Sequence, residues 1–326
     1  MKVMEEMLKK IMAGDRRSVA RAITMVENRD PARYKMLAGL RSAGVNTRII
    51  GITGPPGAGK SSLVDRLISE FRSQGFNIGI IAVDPSSPFT GGAILGDRVR
   101  MQQHCTDPGV FIRSMGARGN LGGLAPATRE AAEILAASGK DLVFVETVGV
   151  GQSELEIMKL ADTTVLVLTP AAGDSIQTIK AGIMEIADIF VVNKADLTGS
   201  KRLAREIRAM LHTTTREAAW YSPVIETETI SGIGTAELAD AINNHFQHLQ
   251  SGGKLEERRN QRNQEEVVEI IADLLREWLN GEASEDILLN EIYFSLNKGE
   301  VDPYRAAEDI LKLYIKKMGG VKIEKS

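Results

Sequence analysis

Cysteine is almost absent from this chain, which has one, Cys105, among 326 residues. A single cysteine cannot close a disulfide within the chain, which excludes a disulfide-stapled secreted domain and fits a reducing compartment. Long apolar runs are also missing, since none approaches the roughly 20 residues that a membrane-spanning helix needs. The first ten residues, MKVMEEMLKK, carry acids early and lack the apolar segment of a signal peptide. These absences predict a soluble, cytoplasmic protein.

The chain also has no large excess of positive or of negative charge. Lysine and arginine number 40 and aspartate and glutamate 43, which gives a formal net charge of −3. Proteins that bind nucleic acid through a broad basic surface carry a clear positive excess, so this class is disfavoured. The hydrophobic fraction of 43% is ordinary for a globular protein. A chain of 326 residues can form one large domain, or a medium domain with helical additions.

Three segments with different patterns of apolar and charged residues predict three domains. Residues 1–44 have apolar residues at helical spacing and predict an N-terminal extension of two or three short helices. Residues 45–250 alternate short apolar runs with helical patterns. Residues 251–326 begin with a short SGGK stretch and continue as a long charged amphipathic helix followed by two more helices. Because this last segment has few residues for a core of its own, we expect it to pack on the main domain or on a second subunit.

The apolar runs of the middle segment predict its fold. Continuous apolar strands separated by helices indicate a mostly parallel sheet flanked by helices on both faces. In such open α/β sheets, ligands bind at the carboxyl ends of the strands. The predicted strands are RIIGITG, IGIIAVD, LVFVETVG, TTVLVLTP, IFVVNKAD and SPVIETE.

The segment GPPGAGKS, residues 54–61, lies between the first strand and a helical pattern. It matches G-x-x-x-x-G-K-[ST] in the strand–loop–helix context that a P-loop requires, so the fold class is an α/β P-loop NTPase. Its glycines let backbone N–H groups surround a phosphate, and the helix N-terminus adds positive potential. Lys60 is predicted to reach the β and γ phosphates, and the Ser61 hydroxyl to bind Mg²⁺. The predicted phosphate-binding residues are Gly54, Pro55, Pro56, Gly57, Ala58, Gly59, Lys60, Ser61 and Ser62.

The motif NKAD, residues 193–196, directly follows the strand IFVVN. The Asp196 carboxylate can accept hydrogen bonds from both the ring N–H and the exocyclic amine of guanine, a pair that adenine does not offer. A buried carboxylate left unpaired would reject ATP. Asn193, Lys194 and Asp196 therefore predict a guanine site.

Three acids follow strands or lie in loops near the expected metal. Asp84 ends IGIIAVD, Glu146 ends LVFVE, and Asp97 lies in the loop sequence GGAILGDRVRM. In P-loop proteins a carboxylate at the end of a neighbouring strand holds Mg²⁺, directly or through water. Three acids are more than one Mg²⁺ needs, so we expect some of them to act indirectly or to change role between nucleotide states.

Gly149 follows Glu146 by three positions, which gives the form E-x-x-G. Many GTPases carry D-x-x-G at this place, and the glycine amide there bonds the γ-phosphate and moves when that phosphate leaves. The segment is therefore predicted to be a nucleotide-sensing switch. We assign Lys60, Asp97, Glu146 and Gly149 to catalysis.

With these motifs in order, the chain resembles the MeaB/ArgK/MMAA family of P-loop GTPases, the chaperones of adenosylcobalamin-dependent methylmalonyl-CoA mutase. The resemblance covers residues 1 to about 250, and the C-terminal helices with EVDPYRAAEDIL fit the family's dimerisation arm. The matching segments are GPPGAGKSSLVDRL, AVDPSSPFTGGAILGDRVRM, NLGGLAPATRE, ETVGVGQSE, GDSIQTIKAG and VVNKAD.

The resemblance implies a Mg²⁺-dependent GTPase that hydrolyses GTP slowly alone and faster with its mutase. It implies help with cofactor loading and protection of an acyl-CoA mutase. The amphipathic C-terminal segment predicts a homodimer built through residues beyond about 254. The chain lacks D-x-H-x-x-G, by which mutases bind cobalamin through histidine. We therefore expect the partner, and not this chain, to hold the cobalamin.

The resemblance also suggests roles for single residues. The segment around Asp97 looks like switch I and that from Glu146 to Glu154 like switch II, while GDSIQTIK is similar to an additional, partner-responsive switch. Ser231-Gly232 stands where the family has a pair whose backbone contacts the guanine oxygen. The residues expected to couple switches and partner are Arg98, Arg100, Gln152, Gln177 and Lys180.

Other functions remain open at this point. A GTPase that delivers nickel needs clustered soft or imidazole ligands, but this chain has four histidines and one cysteine. His245 and His248 are spaced i, i+3 on a predicted helix and are expected at its surface. A small-molecule kinase is a second alternative, although no acceptor-site motif is evident. A nucleotide-gated scaffold with negligible turnover is a third.

Overall fold

The computed structural model describes residues 2–41, 46–84, 102–116, 126–147, 156–157, 159–170, 187–214, 220–281 and 286–318. Within these ranges the chain forms two compact units, residues 1–258 and 259–326. The three predicted domains, with boundaries at residues 44 and 250, stay a prediction. None of the helices in the described ranges combines the length and the apolar character that a membrane span requires.

The described residues of the first unit have a parallel sheet of seven strands at their centre, which confirms the predicted fold class. Its strand order is β3-β2-β4-β1-β5-β6-β7. Four strands, β1, β4, β5 and β6, are buried along most or all of their length, as continuous apolar runs require of a sheet covered on both faces. The strands are β1 (Arg48–Thr53), β2 (Ile78–Asp84), β3 (Val110–Gly116), β4 (Leu142–Thr147), β5 (Thr163–Leu168), β6 (Ile189–Asn193) and β7 (Val224–Thr227).

The strand β3 is not among those that the sequence predicts. Its sequence, VFIRSMG, is interrupted by Arg113 and Ser114, so it lacks the continuous apolar run of the other strands. In the part of the chain that the structure describes, it lies at the edge of the sheet and pairs only with β2. An edge strand has one side less to bury, and polar residues are therefore tolerated there.

Helices cover both faces of this sheet. The helices α4 (Lys60–Ser73) and α7 (Thr235–Ser251) pack on one face around Phe144 and Val165. On the other face, α5 (Pro126–Ala137) packs beside β2 and β4, and α6 (Ser200–Thr214) packs on β5 and β6.

The N-terminal segment forms three helices, α1 (Lys2–Met12), α2 (Arg16–Glu27) and α3 (Arg33–Arg41). They pack against α5 and extend the core on that face of the sheet. Asp15 caps α2 by accepting a hydrogen bond from the Ser18 N–H, as an N-cap aspartate does. The predicted N-terminal helices are thus part of the first compact unit.

Three helices follow the sheet domain, as the sequence predicts: α8 (Lys254–Asn280), α9 (Ile287–Asn297) and α10 (Pro303–Met318). Only Gly252 and Gly253 separate α7 from α8. Asp286 caps α9 through the Leu288 and Leu289 N–H groups. In the second unit, Trp278, Leu289 and Leu313 form a small apolar core.

Candidate nucleotide site

The P-loop connects the end of β1 to the start of α4, at the carboxyl edge of the sheet. Gly54 has φ of 140°, and a Cβ there would lie 2.0 Å from the Val167 carbonyl oxygen. Gly59 has φ of 87°, and a Cβ there would lie 2.4 Å from Asn193 Nδ2. Both positions need glycine, because the backbone turns through a region that side chains disfavour and approaches neighbouring atoms closely. Tertiary contacts therefore fix the loop's shape.

Lys60, the first residue of α4, folds back over the loop. Its Nζ donates hydrogen bonds to the carbonyl oxygens of Gly54 at 2.7 Å and Pro55 at 3.1 Å. The side chain is 6% exposed, so the ammonium is held inside the loop and not in solvent. A fixed cation beside the N-terminus of a helix forms an anion site suited to phosphate.

Ser61 and Glu146 are brought together by the order of the strands. The strand β4 lies directly beside β1, with Glu146 paired in register to Ile52 just before the P-loop. Ser61 Oγ donates a 2.6 Å hydrogen bond to Glu146 Oε1, and both side chains are buried. A hydroxyl that donates its proton still has lone pairs for a cation, and carboxylate oxygen suits Mg²⁺. The two residues therefore fit a magnesium site at the mouth of the loop.

Asn193 joins the predicted base site to the phosphate site. Its side chain is fully buried at the end of β6, where Nδ2 donates to the Ala58 carbonyl oxygen at 2.8 Å. Its Oδ1 accepts a 3.1 Å hydrogen bond from Thr227 Oγ1 on β7. Sequence reasoning assigned Asn193 to guanine. The structure shows that its amide braces the P-loop against the ends of two strands.

Asp196 lies in the turn that follows. Lys194 has φ of 58°, a left-handed conformation that is uncommon for a side-chain-bearing residue. The Ala195 N–H donates to the Thr227 carbonyl oxygen, which fixes this turn to the end of β7. Asp196 itself is exposed at the carboxyl edge of the sheet. Its carboxylate is thus accessible to a base.

The second predicted guanine segment is a closed turn after β7. The Glu228 N–H donates to the Ile233 carbonyl oxygen, and the Gly232 N–H donates to the Glu228 carbonyl oxygen. Ser231 Oγ also donates to Glu228 O, at 3.2 Å. This turn and Asp196 both follow strands that pair with each other, β7 and β6. The two predicted guanine segments therefore lie at the same part of the sheet edge.

Several predicted site residues fall outside the described residues. For Asp84 the structure describes the backbone at the end of β2, paired with Gly116, but not the side chain. The roles predicted for these residues stay predictions. The others are Asp97, Arg98, Arg100, Gly149, Gln152, Gln177 and Lys180.

The surface position expected for His245 is wrong. Its ring is 1% exposed, with Nε2 3.2 Å from Asp188 Oδ1 and Nδ1 2.9 Å from Thr163 Oγ1. Trp220 packs against it with ring centroids 4.8 Å apart. The i, i+3 spacing with His248 gave no sign of this, because the partners come from distant parts of the chain. In the described ranges, no group of three or more His, Cys, Asp or Glu side chains could hold a metal ion.

The sequence matches a protein family described as "Methylmalonyl Co-A mutase-associated GTPase MeaB" over residues 19–284. This match covers most of the chain. The chain belongs to the MeaB family. That result confirms the resemblance stated from the motifs.

Individual relatives of this MeaB family member match nearly the whole chain. A GTPase-named protein of Pyrococcus abyssi is 47% identical over 330 residues, covering 99% of this chain and 100% of that protein. The "Methylmalonic aciduria type A homolog, mitochondrial" of Caenorhabditis elegans is 30% identical over 329 residues, covering 95% and 82%. Among solved structures, the "LAO/AO transport system kinase" matches with a TM-score of 0.70 and 26% identity, covering 96% of this chain and 98% of that one.

Proposed function

We propose that this chain is a Mg²⁺-dependent GTPase that assists an adenosylcobalamin-dependent acyl-CoA mutase, with methylmalonyl-CoA mutase as the favoured partner. The observation that carries the GTPase part is the bond between Ser61 Oγ and Glu146 Oε1, buried beside a P-loop that encloses the Lys60 ammonium. The family description and the name of the worm relative support the mutase part.

The phosphates of GTP would lie in the P-loop, where backbone N–H groups and the Lys60 ammonium offset their negative charge. For this, Lys60 exchanges its hydrogen bonds to the Gly54 and Pro55 carbonyls for phosphate oxygens. These bonds hold the ammonium beside the loop before the nucleotide binds. Little side-chain conformational entropy of Lys60 is therefore lost on binding.

Ser61 and Glu146 would hold Mg²⁺, the serine through its hydroxyl oxygen and the glutamate directly or through water. Bound there, the ion would supply charge that stabilises the transferring phosphoryl group. Glu146 orients the Ser61 hydroxyl through their 2.6 Å hydrogen bond, so that the serine lone pairs are available on the opposite side. Asp84 and Asp97 remain proposed contributors to this site.

Guanine would be selected by Asp196, with Asn193 and Lys194 shaping its turn and Ser231-Gly232 contacting the guanine oxygen. The exposed position of Asp196 at the sheet edge supports this assignment. A carboxylate that accepts two hydrogen bonds from guanine would face the lone pair of adenine N1 instead, which disfavours ATP.

The partner mutase would hold the cobalamin, since this chain lacks the histidine motif by which mutases bind it. By resemblance alone, a further set of residues is proposed to change conformation with the bound nucleotide and to contact the partner: Gly149, Gln152, Gln177, Lys180, Arg98 and Arg100. Residues beyond about 254 are proposed to form a homodimer. The exposed apolar side chains of the second unit support this, because such side chains tend to be covered. They include Val267, Val268, Ile271, Phe294 and Ile315.

Turnover of γ-labelled GTP, alone and with purified methylmalonyl-CoA mutase, tests this proposal. We expect label to appear only as phosphate, in a Mg²⁺-dependent reaction that the mutase accelerates. Label on another acceptor would indicate a kinase. No GTP turnover under any condition would indicate a nucleotide-gated scaffold. Lys60→Ala serves as the control for contaminating activity. The chaperone role would be wrong if GTP were hydrolysed at the same rate with and without the mutase and if the chain formed no complex with the mutase in either the GTP-bound or the GDP-bound state.

A further inference from the structure

An arginine on the P-loop helix holds the turn that contains Ser231. Arg66 lies on α4, six residues after Lys60, and its side chain reaches the turn after β7. Its Nε donates to the Thr229 carbonyl oxygen at 2.8 Å, and its Nη2 donates to the Ile230 carbonyl oxygen at 2.7 Å. A planar guanidinium with two bonds fixes the direction of its partners as well as their distance.

The second of these bonds determines the direction of a backbone donor. The Ile230 carbonyl and the Ser231 N–H belong to the same peptide unit, and in a planar trans peptide they point in opposite directions. Fixing the Ile230 oxygen toward α4 therefore turns the Ser231 N–H away from α4. The Gly232 N–H is engaged with the Glu228 carbonyl oxygen. Among the described residues, the Ser231 N–H makes no backbone hydrogen bond, so it is the donor of this pair that a base can use.

We propose that Arg66 is a positioning residue for guanine recognition, orienting the Ser231 N–H toward the guanine oxygen. This inference rests on the guanine site of the proposed function. The helix that carries Arg66 begins with Lys60 and Ser61, at the phosphate site. Six residues of α-helix span about 9 Å, so one rigid element sets the spacing between the phosphate end and the base end of the nucleotide site.

The turn does not need Arg66 to close. Glu228 and Ile233 bridge its two ends, and Ser231 Oγ adds a bond to the Glu228 carbonyl oxygen. Arg66 is itself exposed, so its replacement leaves no buried cavity. A variant at Arg66 should therefore change how the turn is oriented while leaving the chain folded.

The experiment compares Arg66→Gln with Arg202→Gln in the full chain. Arg202 is an exposed arginine whose Nε bonds Glu206 on the same helix, α6, so its loss removes the same charge without touching the nucleotide site. Affinities are measured for GDP, for IDP, and for the diphosphate of 2-aminopurine riboside, which lacks both the oxygen at position 6 and the N1–H. Because its N1 lone pair faces Asp196, this third nucleotide binds weakly to the wild type, and only the change that each variant causes is compared. Arg66→Gln should weaken GDP and IDP by about tenfold, the effect of one lost hydrogen bond, and leave the 2-aminopurine nucleotide nearly unchanged. The KM for GTP should rise by a similar factor while kcat stays within about twofold.

Asp196→Asn reports separately on the proposed base site, and it should shift preference from guanine to xanthine, whose second oxygen can accept from the new amide. A shift in base preference with Asp196→Asn would support the guanine site. If Arg66→Gln then weakens the binding of all three nucleotides equally, or weakens it no more than Arg202→Gln does, the positioning role of Arg66 is wrong and the guanine site stands. If Asp196→Asn has no effect on base preference, the guanine site itself is wrong. Should Arg66→Gln not fold, Arg66→Lys provides the same comparison, with an expected loss of about threefold for GDP and IDP.

Discussion

Ser61 and Glu146 are 85 residues apart in the chain and share a 2.6 Å hydrogen bond inside the protein. The bond exists because β4 lies beside β1, so the carboxylate of the penultimate residue of β4 meets the hydroxyl of Ser61, which follows β1 and the P-loop. It explains why a buried strand carries an acid near its carboxyl end. Glu146 orients a hydroxyl at the P-loop and supplies negative charge where Mg²⁺ would bind.

Replacing Glu146 by glutamine should lower the rate of GTP hydrolysis by on the order of 10²-fold, the usual cost of losing one preorganised charge contact. Glutamine keeps the size of the side chain and can still accept the Ser61 hydrogen bond. The measurement is single-turnover hydrolysis across a Mg²⁺ titration. Ser61→Ala should have a similar effect, and the double variant should be little worse than either single one, because the two residues act as a unit. Additive losses would show that they act independently.

Asn193→Ala should destabilise the protein by about 2–3 kcal/mol, because it leaves the Ala58 carbonyl and the Thr227 hydroxyl without their buried partner. The measurement is the free energy of unfolding in urea. Asn244→Ala, at an exposed position of α7, is the control and should change stability by less than about 0.5 kcal/mol. GDP affinity should fall with Asn193→Ala even where the protein remains folded, since the P-loop loses its brace. Unchanged affinity would contradict this role.

Substitutions at two glycines of the P-loop can distinguish the cost of a left-handed backbone from the cost of a steric clash. Gly57 has φ of 76° with nothing within 4 Å of an added Cβ, whereas at Gly54 the Cβ would lie 2.0 Å from the Val167 carbonyl oxygen. Gly57→Ala should cost about 1–2 kcal/mol for the left-handed conformation alone. Gly54→Ala should cost about 1–3 kcal/mol more, because it also overpacks the loop against β5. Urea unfolding of both variants checks the order, and equal costs would show that the loop shifts to relieve the contact.

Asp188 should make stability depend on pH at the acid end. Burial by itself raises the pKa of this carboxyl, but hydrogen bonds and charges from His245 and Arg258 outweigh it, and the pKa is lowered overall. A lowered folded-state pKa means that the contribution is complete above the unfolded value, about 3.9, and is lost as the pH falls through the folded value. The stability difference between wild type and Asp188→Asn should therefore be large at pH 7 and shrink below about pH 4.

The control for this prediction is Asp240→Asn, an exposed aspartate of α7. Urea unfolding of the three proteins at pH 7 and at acid pH gives the comparison. A gap between wild type and Asp188→Asn that stays constant with pH would show that Asp188 stabilises the fold by packing and hydrogen bonding alone.

The second unit should form a homodimer through its exposed apolar side chains. Phe294 is 59% exposed on α9 and Ile271 is 56% exposed on α8. Glutamate at either position would place a charge in an apolar contact and should shift the protein toward monomer. Light scattering at micromolar concentration measures the mass, with Lys312→Glu, at an exposed position of α10, as a charge-changing control. A monomeric wild type would rule out this dimer.

Much of the fold could be predicted from short segments. The strands β1, β2, β4, β5 and β6 were evident as apolar runs, because buried parallel strands are apolar on both faces. The short strand β7 was predicted within SPVIETE, although its sequence VIET is only half apolar. The edge strand β3 was missed, since Arg113 and Ser114 break its pattern. The helices of the C-terminal segment followed from their spacing and from the Gly281 and Pro303 breaks. Local chemistry was sufficient for these elements.

The sequence by itself determined where the P-loop and the NKAD turn lie along the chain, because the glycines, the lysine and the acid of these motifs directly follow apolar strands. Only the tertiary structure decided which distant groups meet. Strand order placed Glu146 against Ser61, buried Asn193 against the Ala58 carbonyl, and enclosed His245 beside Asp188. It also brought Arg66 to the turn that contains Ser231. These contacts depend on how the strands and helices pack, and no local pattern carries that information.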